Sequence, residues 1–186
     1  LGRRLAINPE QIRKDLAFFG QFGKKGVGYY VAELKESIGG ILGLDQHWNV
    51  AIIGMGHLGA ALANYQGIAR LGFRLAAIFD ANPVVIGTRV GERRVEDIAY
   101  LAEIIAERDI RIGVIAVPAA AAQGVADQLV AAGIRGIWNF APVSLQVPSH
   151  IPFVSEDLSV GLSALSYYLA HASAEDEELS DKNSRN

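Results

Sequence analysis

Three glycines and one aspartate are the residues of this sequence whose types and spacing indicate specific chemistry. Gly54, Gly56 and Gly59 follow an apolar run with the spacing Gly-x-Gly-x-x-Gly. Between a strand and a helix, this pattern is typical of a loop that binds a dinucleotide. The first glycine makes the tight turn, the second lets the backbone approach a pyrophosphate, and the third lets the helix pack on its strand. The candidate phosphate-binding loop also contains Met55, His57 and Leu58.

Asp80 supplies the second half of this pattern. It ends an apolar segment, 73–80, about 20 residues after the last glycine, where a carboxylate can accept hydrogen bonds from both adenosine ribose hydroxyls. The same charge repels a 2′-phosphate, so the sequence favours NAD(H) over NADP(H). The alternative is a Rossmann-like domain in which the glycine turn has a packing role and binds no nucleotide. Three arginines in the next loop could weaken the selectivity for NAD(H) over NADP(H): Arg89, Arg93 and Arg94.

Composition limits the classes of protein that fit. The chain has 186 residues, of which 51% are hydrophobic and 20% charged, which fits one large or two small domains. No apolar run approaches the roughly 20 residues of a membrane-spanning helix. The absence of cysteine excludes disulfides and thiolate chemistry and favours a cytoplasmic setting. No metal site is expected, because the four histidines lack ligand spacing: His47, His57, His150 and His171.

Charge is segregated along the chain. Residues 1–40 hold seven Lys/Arg and four Asp/Glu, residues 41–174 hold eight and eleven, and residues 175–186 hold two and five. A basic end on an acidic body indicates that the first segment meets an anionic partner. The polar segment 175–186 is predicted to be a disordered acidic tail.

The middle of the chain alternates between strand-like and helix-like segments. Alternation of this kind implies βαβ units and a parallel sheet, and the apolar strands imply a sheet covered on both faces. We therefore expect an α/β domain with a doubly wound parallel sheet, a Rossmann domain. The predicted strands are 49–54, 74–80, 111–117, 136–141 and 152–155, and the predicted helices are 57–70, 95–107 and 119–132.

The first 40 residues have a different pattern. Asn8 and Pro9 predict a helix over 9–19 with a capping residue and a proline at its first position. Because the residues before it resemble the end of another helix, this is the second half of a helix-turn-helix with 9–19 as recognition helix. The glycine-rich segment 20–31 is predicted to be a hairpin wing with a basic tip, and 31–43 a linker helix. A solvated charged face is the alternative for each cation by itself, but helix and wing together favour binding to DNA. The candidate DNA-binding residues are Gln11, Arg13, Lys14, Lys24 and Lys25.

Segments 12–29 and 52–63, with 139–142 and 156–159, resemble the Rex family of bacterial redox-sensing transcriptional repressors. The resemblance covers residues 1–172. It implies a winged-helix domain that binds operator DNA, fused to a Rossmann domain that binds NADH or NAD+, in a homodimer. In that family NADH releases the DNA, whereas NAD+ permits binding.

The resemblance also implies a division of the chain into domains. The chain starts near the end of the family's second helix, which implies that its winged-helix domain is incomplete at the N-terminus. The expected parts are the winged-helix domain with its linker helix (1–43), the Rossmann domain (44–157), a dimerisation helix (158–174) and the acidic tail (175–186).

The resemblance assigns further residues to the site. Tyr65 is similar to the family's mobile tyrosine beside the nicotinamide, with a packed helix residue as the alternative. Asp157 is similar to a carboxylate whose partner changes with redox state, and it can also cap the next helix. The other residues expected to line the nicotinamide pocket are Val117, Pro118, Asn139 and Phe140.

The segment 158–170 is predicted to be a helix that is apolar on nearly every side. Such a helix is either buried in its own domain or inserted into a partner. The resemblance implies insertion, as a helix swapped between the two subunits of a homodimer.

An enzyme is the main alternative to a regulator. Hydride transfer requires an acid or base near the substrate carbonyl, but the segment 110–160 contains one histidine, His150, and no lysine. A CoA-binding subunit of a ligase fits the Rossmann pattern but leaves the segment 13–29 unexplained. The sequence therefore favours a repressor over a nicotinamide-dependent dehydrogenase.

Overall fold

The structure is a computed structural model that describes residues 7–20, 22–23 and 28–183, with side chains described as far as His171. The chain forms two compact units. The first consists of Leu1–Trp48 with Gln66–Arg74, and the second of Asn49–Tyr65 with Leu75–Asn186.

The described residues contain seven α-helices and one short 3₁₀ turn at Ile98–Tyr100. The α-helices are Pro9–Phe19 (α1), Val31–Ile41 (α2), His57–Ala63 (α3), Gln66–Arg70 (α4), Leu101–Glu107 (α5), Ala119–Ala131 (α6) and Val160–Asn183 (α7).

The strands among the described residues form one seven-stranded sheet. They are Trp48–Ile53 (β1), Phe73–Asp80 (β2), Arg89–Val90 (β3), Arg93–Asp97 (β4), Ile110–Ile115 (β5), Gly136–Asn139 (β6) and Phe153–Ser155 (β7). The order is β3-β4-β2-β1-β5-β6-β7. β1 pairs with β5 in parallel, as do β2 with β4, β5 with β6 and β6 with β7, whereas β3 and β4 are antiparallel. This confirms the predicted doubly wound sheet, whose strand order reverses between β1 and β5.

The first unit holds α1 and α2, and the local sequence explains the start of α1 and the end of α2. Asn8 caps α1, because its Oδ1 accepts a hydrogen bond from the Glu10 amide at 2.9 Å, and Pro9 occupies the first turn. The carbonyls of Gly39 and Gly40 accept from the amides of Leu44 and Gly43 at the end of α2. With Gly43 at φ 67°, this is a Schellman C-cap.

The core of the second unit lies between the sheet and its helices. The strands contribute apolar residues that are almost fully buried, as strands covered on both faces require. The cluster includes Ala51, Ile53, Ala77, Phe79, Ile115 and Ile137 from strands and Leu101, Ile105, Ala122, Val125 and Leu129 from helices.

Several predicted elements are corrected by the structure. The helix predicted over 95–107 is wrong at its start, because 95–97 belong to β4 and the α-helix begins at Leu101. The helix predicted over 57–70 is two helices, α3 and α4. Strands β3 and β4 were not predicted. The linker helix ends at Ile41 rather than 43.

Other predictions concern the two ends of the chain. The helix predicted from 158 starts at Val160 and continues to Asn183, so it includes most of the segment predicted to be a disordered tail. Alanine and glutamate between 172 and 178 favour this continuation. The predicted helix end over 1–6 and the tip of the predicted wing lie outside the described residues.

Candidate dinucleotide-binding site

Gly54 makes the turn between β1 and α3 with a backbone conformation that favours glycine. Its φ is 98°, and a Cβ atom there would lie 2.6 Å from the carbonyl oxygen of Ala116. The Gly54 amide donates to the Phe79 carbonyl at 2.8 Å, which ties the turn to β2. The first glycine therefore has the predicted role of forming the tight turn.

Gly59 and Gly56 have opposite surroundings. A Cβ atom on Gly59 would overlap the carbonyl oxygen of Gly54, so glycine is required where α3 packs on the turn. A Cβ atom on Gly56 would meet no described atom within 4 Å. The open side of Gly56 is the space that the fingerprint leaves for a pyrophosphate.

The remaining residues of the loop lead into the first turn of α3. Gly56 is the N-cap, and its carbonyl accepts from the Ala60 amide at 2.9 Å. His57 is exposed and Leu58 is half-buried at the start of the helix. The amides of a helix start, aligned with the helix dipole, favour an anion, which agrees with the predicted phosphate position.

Asp80 lies at the end of β2 and contacts the glycine turn directly. Its Oδ2 accepts from the Met55 amide at 2.6 Å, and its Oδ1 accepts from the Asn82 amide at 2.8 Å. The carboxylate is partly exposed. Asp80 therefore lies directly beside the turn and remains accessible, and its contact with a ribose stays a prediction.

Val117 and Pro118 follow β5, the strand beside β1 where the order reverses. The Ala116 amide donates to the Ile53 carbonyl at 2.8 Å, so the ends of the two strands are held together. Val117 is half-buried and Pro118 is the exposed N-cap of α6. Crevices at this position bind ligands in open α/β sheets.

Asn139 ends β6 and Phe140 follows it, at the same edge of the sheet. Phe140 is half-buried, its amide donates to the Ile115 carbonyl at 2.9 Å, and its ring lies 4.5 Å from that of Trp138. Asn139 is 0% exposed, and its Nδ2 lies within hydrogen-bond distance of three acceptors, the Ala141 and Val143 carbonyls and the Ser155 hydroxyl. Asn139 thus holds the loop together from inside, and Phe140 is the more accessible of the two.

Tyr65 occupies the break between α3 and α4. Its side chain is 65% exposed, and its amide donates to the Leu62 carbonyl at 3.1 Å. The alternative of a packed helix residue is therefore wrong. Tyr65 is thus exposed and outside both helices, and its position beside the nicotinamide stays a prediction.

Asp157 lies just before α7 and bonds to Ser159, the residue that precedes the helix, so its side chain stabilises the turn that leads into α7. Its Oδ1 accepts from the Ser159 hydroxyl at 2.6 Å and from the Ser159 amide at 2.8 Å. These bonds to the Ser159 hydroxyl and amide lower the pKa of the Asp157 carboxyl, whereas its slight burial acts in the opposite direction. The carboxylate is exposed, and its redox-dependent partner stays a prediction.

The predicted DNA-binding residues fall into two groups. Gln11, Arg13 and Lys14 are exposed on α1, and the Gln11 amide nitrogen donates to Asp15 Oδ1 at 2.7 Å. Lys24 and Lys25 lie outside the described residues.

The sequence did not predict the role of Ser155, which is one of the bonding partners of Asn139. No local pattern could reveal a contact across 16 positions. Over the described residues, no group of His, Cys, Asp or Glu could hold a metal ion. Within the same part of the chain, none of the helices combines the length and apolar character needed to cross a bilayer.

The fold and the turn define a Rossmann-type dinucleotide-binding domain. The sequence model of the family described as CoA binding domain matches residues 45–143, which is the Rossmann part of the chain. Relatives that match most of the chain identify the family more closely.

The redox-sensing transcriptional repressor Rex of Chloroflexus aurantiacus is 47% identical over 170 residues, which are 91% of this chain and 80% of that protein. Rex of Clostridium perfringens is 46% identical over 171 residues, 92% of this chain and 81% of that protein. The chain therefore belongs to the Rex family of redox-sensing transcriptional repressors, which confirms the resemblance found in the sequence.

Solved structures agree with this assignment. The crystal structure of RSP in complex with β-NAD+ and operator DNA has a TM-score of 0.88 and 40% identity, covering 95% of this chain and 81% of that chain. The structure of RSP, a Rex-family repressor, in complex with β-NADH has a TM-score of 0.83 and 39% identity, covering 95% and 82%.

Proposed function

We propose that this protein is a repressor that binds operator DNA and loses affinity for it when NADH binds the Rossmann domain. It would thereby respond to the ratio of NADH to NAD+. We also propose that it acts as a regulator without catalysing hydride transfer, in the cytoplasm, where its DNA target lies.

The observation that carries the proposal is the contrast between the three glycines. A Cβ atom on Gly54 or Gly59 would overlap protein atoms, whereas a Cβ atom on Gly56 would meet no described atom within 4 Å. A turn that only packed would not need the open glycine, so this pattern supports a bound pyrophosphate. Asp80 then lies within reach of the adenosine ribose, and its charge favours NAD(H) over NADP(H).

The redox states of the cofactor differ in the charge of the nicotinamide ring. Val117 and Phe140 offer a largely apolar surface to that ring, and such surroundings disfavour a positive charge. The chain's residues can therefore bind the two states with different affinities. A ligand shifts a conformational equilibrium only through such a difference in affinity for the two conformations.

The basic first segment supports DNA as the partner. Arg13 and Lys14 are exposed on α1, as phosphate-contacting residues of a recognition helix must be. The complex of RSP with operator DNA is similar to 95% of this chain, which adds support for the same partner here.

A homodimer through α7 is part of the proposal. Leu162, Leu165 and Leu169 on this helix, and Leu158 just before it, are each at least 58% exposed. A helix that exposes such an apolar stripe requires a cover, and a helix exchanged between two copies would provide it. Leu165→Glu should therefore lower the sedimentation coefficient, whereas Ser166→Glu on the same helix is a charge-matched control.

Titration calorimetry with NADH and NAD+ separately tests the cofactor proposal. Duplexes enriched from a random-sequence pool with NAD+ present would then supply the operator for anisotropy measurements. We expect NADH to bind more tightly and to lower operator affinity, and the operator to weaken NADH binding by the same factor. NADH binding without any change in operator affinity would contradict the mechanism. Consumption of NADH after adding a carbonyl compound would favour a dehydrogenase instead.

A further inference from the structure

Asn139 has an unusual position for a polar side chain. Within the described part of the chain, it is the single polar residue among the buried ones, at 0% exposure. It ends β6, at the edge of the sheet where the proposed nicotinamide pocket lies. A buried amide must satisfy its hydrogen bonds inside the protein, so its partners show what it connects.

The Asn139 amide nitrogen has more acceptors than hydrogens. Its Nδ2 lies 3.0 Å from the Ala141 carbonyl, 3.2 Å from the Val143 carbonyl and 3.1 Å from the Ser155 hydroxyl oxygen. An amide nitrogen carries two hydrogens, so three good bonds cannot form at once. Two arrangements follow, one with both hydrogens on the loop 140–143 and one with a hydrogen on Ser155.

Each arrangement bonds the Asn139 amide to a different segment of the chain. The loop 140–143 contains Phe140, which the proposed function places beside the nicotinamide. Ser155 ends β7, and the next amide, that of Glu156, donates to the Asn139 carbonyl at 2.8 Å. The Asn139 Oδ1 accepts from the Ala141 amide at 3.0 Å and fixes the side chain between the two parts.

A short segment, residues 156–159, connects Ser155 to the start of α7. Asp157 follows two residues later and accepts from both the hydroxyl and the amide of Ser159. The Ser159 carbonyl in turn accepts from the Ser163 amide at 3.0 Å, in the first turns of α7. A change at Ser155 can therefore reach the beginning of this helix through the two residues of backbone that separate it from Asp157 and the Asp157–Ser159 bonds.

We propose that Asn139 is a positioning residue that couples the pocket loop 140–143 to the start of α7 by shifting one amide hydrogen between the loop carbonyls and Ser155. The inference rests on the proposed function and deepens it, because it names how occupation of the pocket reaches the helix. A buried amide is suited to this role, since hydrogen bonds are stronger in a low-dielectric interior.

Hydrogen exchange measured by mass spectrometry tests the coupling without requiring DNA. The parent chain, Ser155→Ala, Ser155→Thr and Ser144→Ala are compared with and without saturating NADH, and their NADH affinities are measured by calorimetry. Thr restores the hydroxyl, and Ser144 is an exposed serine of the neighbouring segment outside the Asn139 network.

The parent should show an NADH-dependent change in exchange over residues 156–166. In Ser155→Ala this change should fall at least about threefold while NADH affinity stays within about twofold, because the coupling is lost and the pocket is kept. Ser155→Thr and Ser144→Ala should behave like the parent. A purely structural role for Ser155 would alter basal exchange and leave the NADH-dependent change intact.

The outcomes separate this inference from the proposed function. An equal NADH response in Ser155→Ala and the parent would overturn the inference alone, as would a parent that binds NADH with no response over 156–166. A parent that binds no NADH in calorimetry would overturn the proposed function, and the inference with it.

Discussion

The carboxylate of Asp80 and the amide of Met55 are joined by a hydrogen bond of 2.6 Å. This bond connects the end of β2 to the residue between the first two glycines of the turn. Asp80 therefore has two roles in the proposed site: it presents a charge to the adenosine ribose, and it holds the phosphate-binding loop in place. A substitution of Asp80 affects both, so the roles must be separated by the choice of variant.

Asp80→Ala should weaken NADH binding by about tenfold to a hundredfold, because hydrogen bonds to a charged group contribute roughly 1.5–3 kcal/mol. Asp80→Asn should retain an acceptor for Met55 and lose the charge. Both variants should narrow the preference for NADH over NADPH, since the repulsion of a 2′-phosphate disappears. Calorimetry with both dinucleotides measures this.

Asp97→Asn is the matched control for this experiment. Asp97 is in register with Asp80 on the neighbouring strand, but its Oδ1 accepts from the Ala99 amide at 2.9 Å. An asparagine can keep that cap, so dinucleotide affinity should not change. NADH affinity that is equal in Asp80→Ala and the parent would remove Asp80 from the site.

Gly56→Ala and Gly59→Ala should separate binding from folding. The added methyl on residue 56 meets no described atom within 4 Å, whereas on residue 59 it overlaps the Gly54 carbonyl oxygen. We expect Gly56→Ala to keep its melting temperature and lose about tenfold or more in NADH affinity, since the methyl occupies the phosphate space. Gly59→Ala should be destabilised by about 1–3 kcal/mol or more, as overpacked sites are.

Thermal unfolding and calorimetry on the same preparations check both expectations. A Gly56→Ala variant that binds NADH like the parent would show that no phosphate approaches this glycine. A Gly59→Ala variant as stable as the parent would show that α3 can move away from the turn.

The parts of the site that the sequence predicted are those set by local geometry. The three glycines and Asp80 were predicted from spacing along one strand, one turn and one helix. The structure has Gly54 in the turn, Gly59 packed against it and Asp80 bonded to Met55. Strand β4 was not predicted, because Val95 is its one apolar residue and its neighbours in the strand are charged. The break between α3 and α4 at Asn64 and Tyr65 was not predicted, because the apolar spacing of a helix continues across it.

The Asn139 network shows why the rest could not be predicted. Its partner Ser155 belongs to another strand, and only the pairing of β6 with β7 brings Asn139 and Ser155 into register. A sequence pattern records the residue types but not which side chain is buried beside which hydroxyl. Long-range contacts of this kind require the three-dimensional structure.

Asp157 should titrate below its ordinary pKa of 3.8, because the Ser159 hydroxyl and amide stabilise the charged form. Its contribution to stability is therefore fully present above the unfolded pKa and is lost as the pH falls through the lower folded value. Carboxyl carbon shifts in a pH titration by NMR measure the pKa directly.

Ser159→Ala should move the Asp157 pKa back towards the ordinary value, since it removes the hydroxyl donor and leaves the amide. Ser163→Ala is the control, because the Ser163 hydroxyl donates to the Ser159 carbonyl and not to Asp157. An Asp157 pKa that is unchanged in Ser159→Ala would show that the hydroxyl bond does not cause the shift.

Gly124→Ala and Gly113→Ala should change stability in opposite directions. Gly124 is an exposed residue inside α6, and a Cβ atom there meets no described atom within 4 Å. Replacement by alanine should stabilise the protein by about 0.5–1 kcal/mol, since glycine costs that much in a helix.

In β5, a Cβ atom on the buried Gly113 would lie 2.7 Å from Leu129 Cδ1, and Leu129 is 0% exposed. Because that side chain has no free space to move into, Gly113→Ala should cost about 1–3 kcal/mol. Urea denaturation measures both values, and a shift of the two midpoints in the same direction would contradict the packing of α6 on β5.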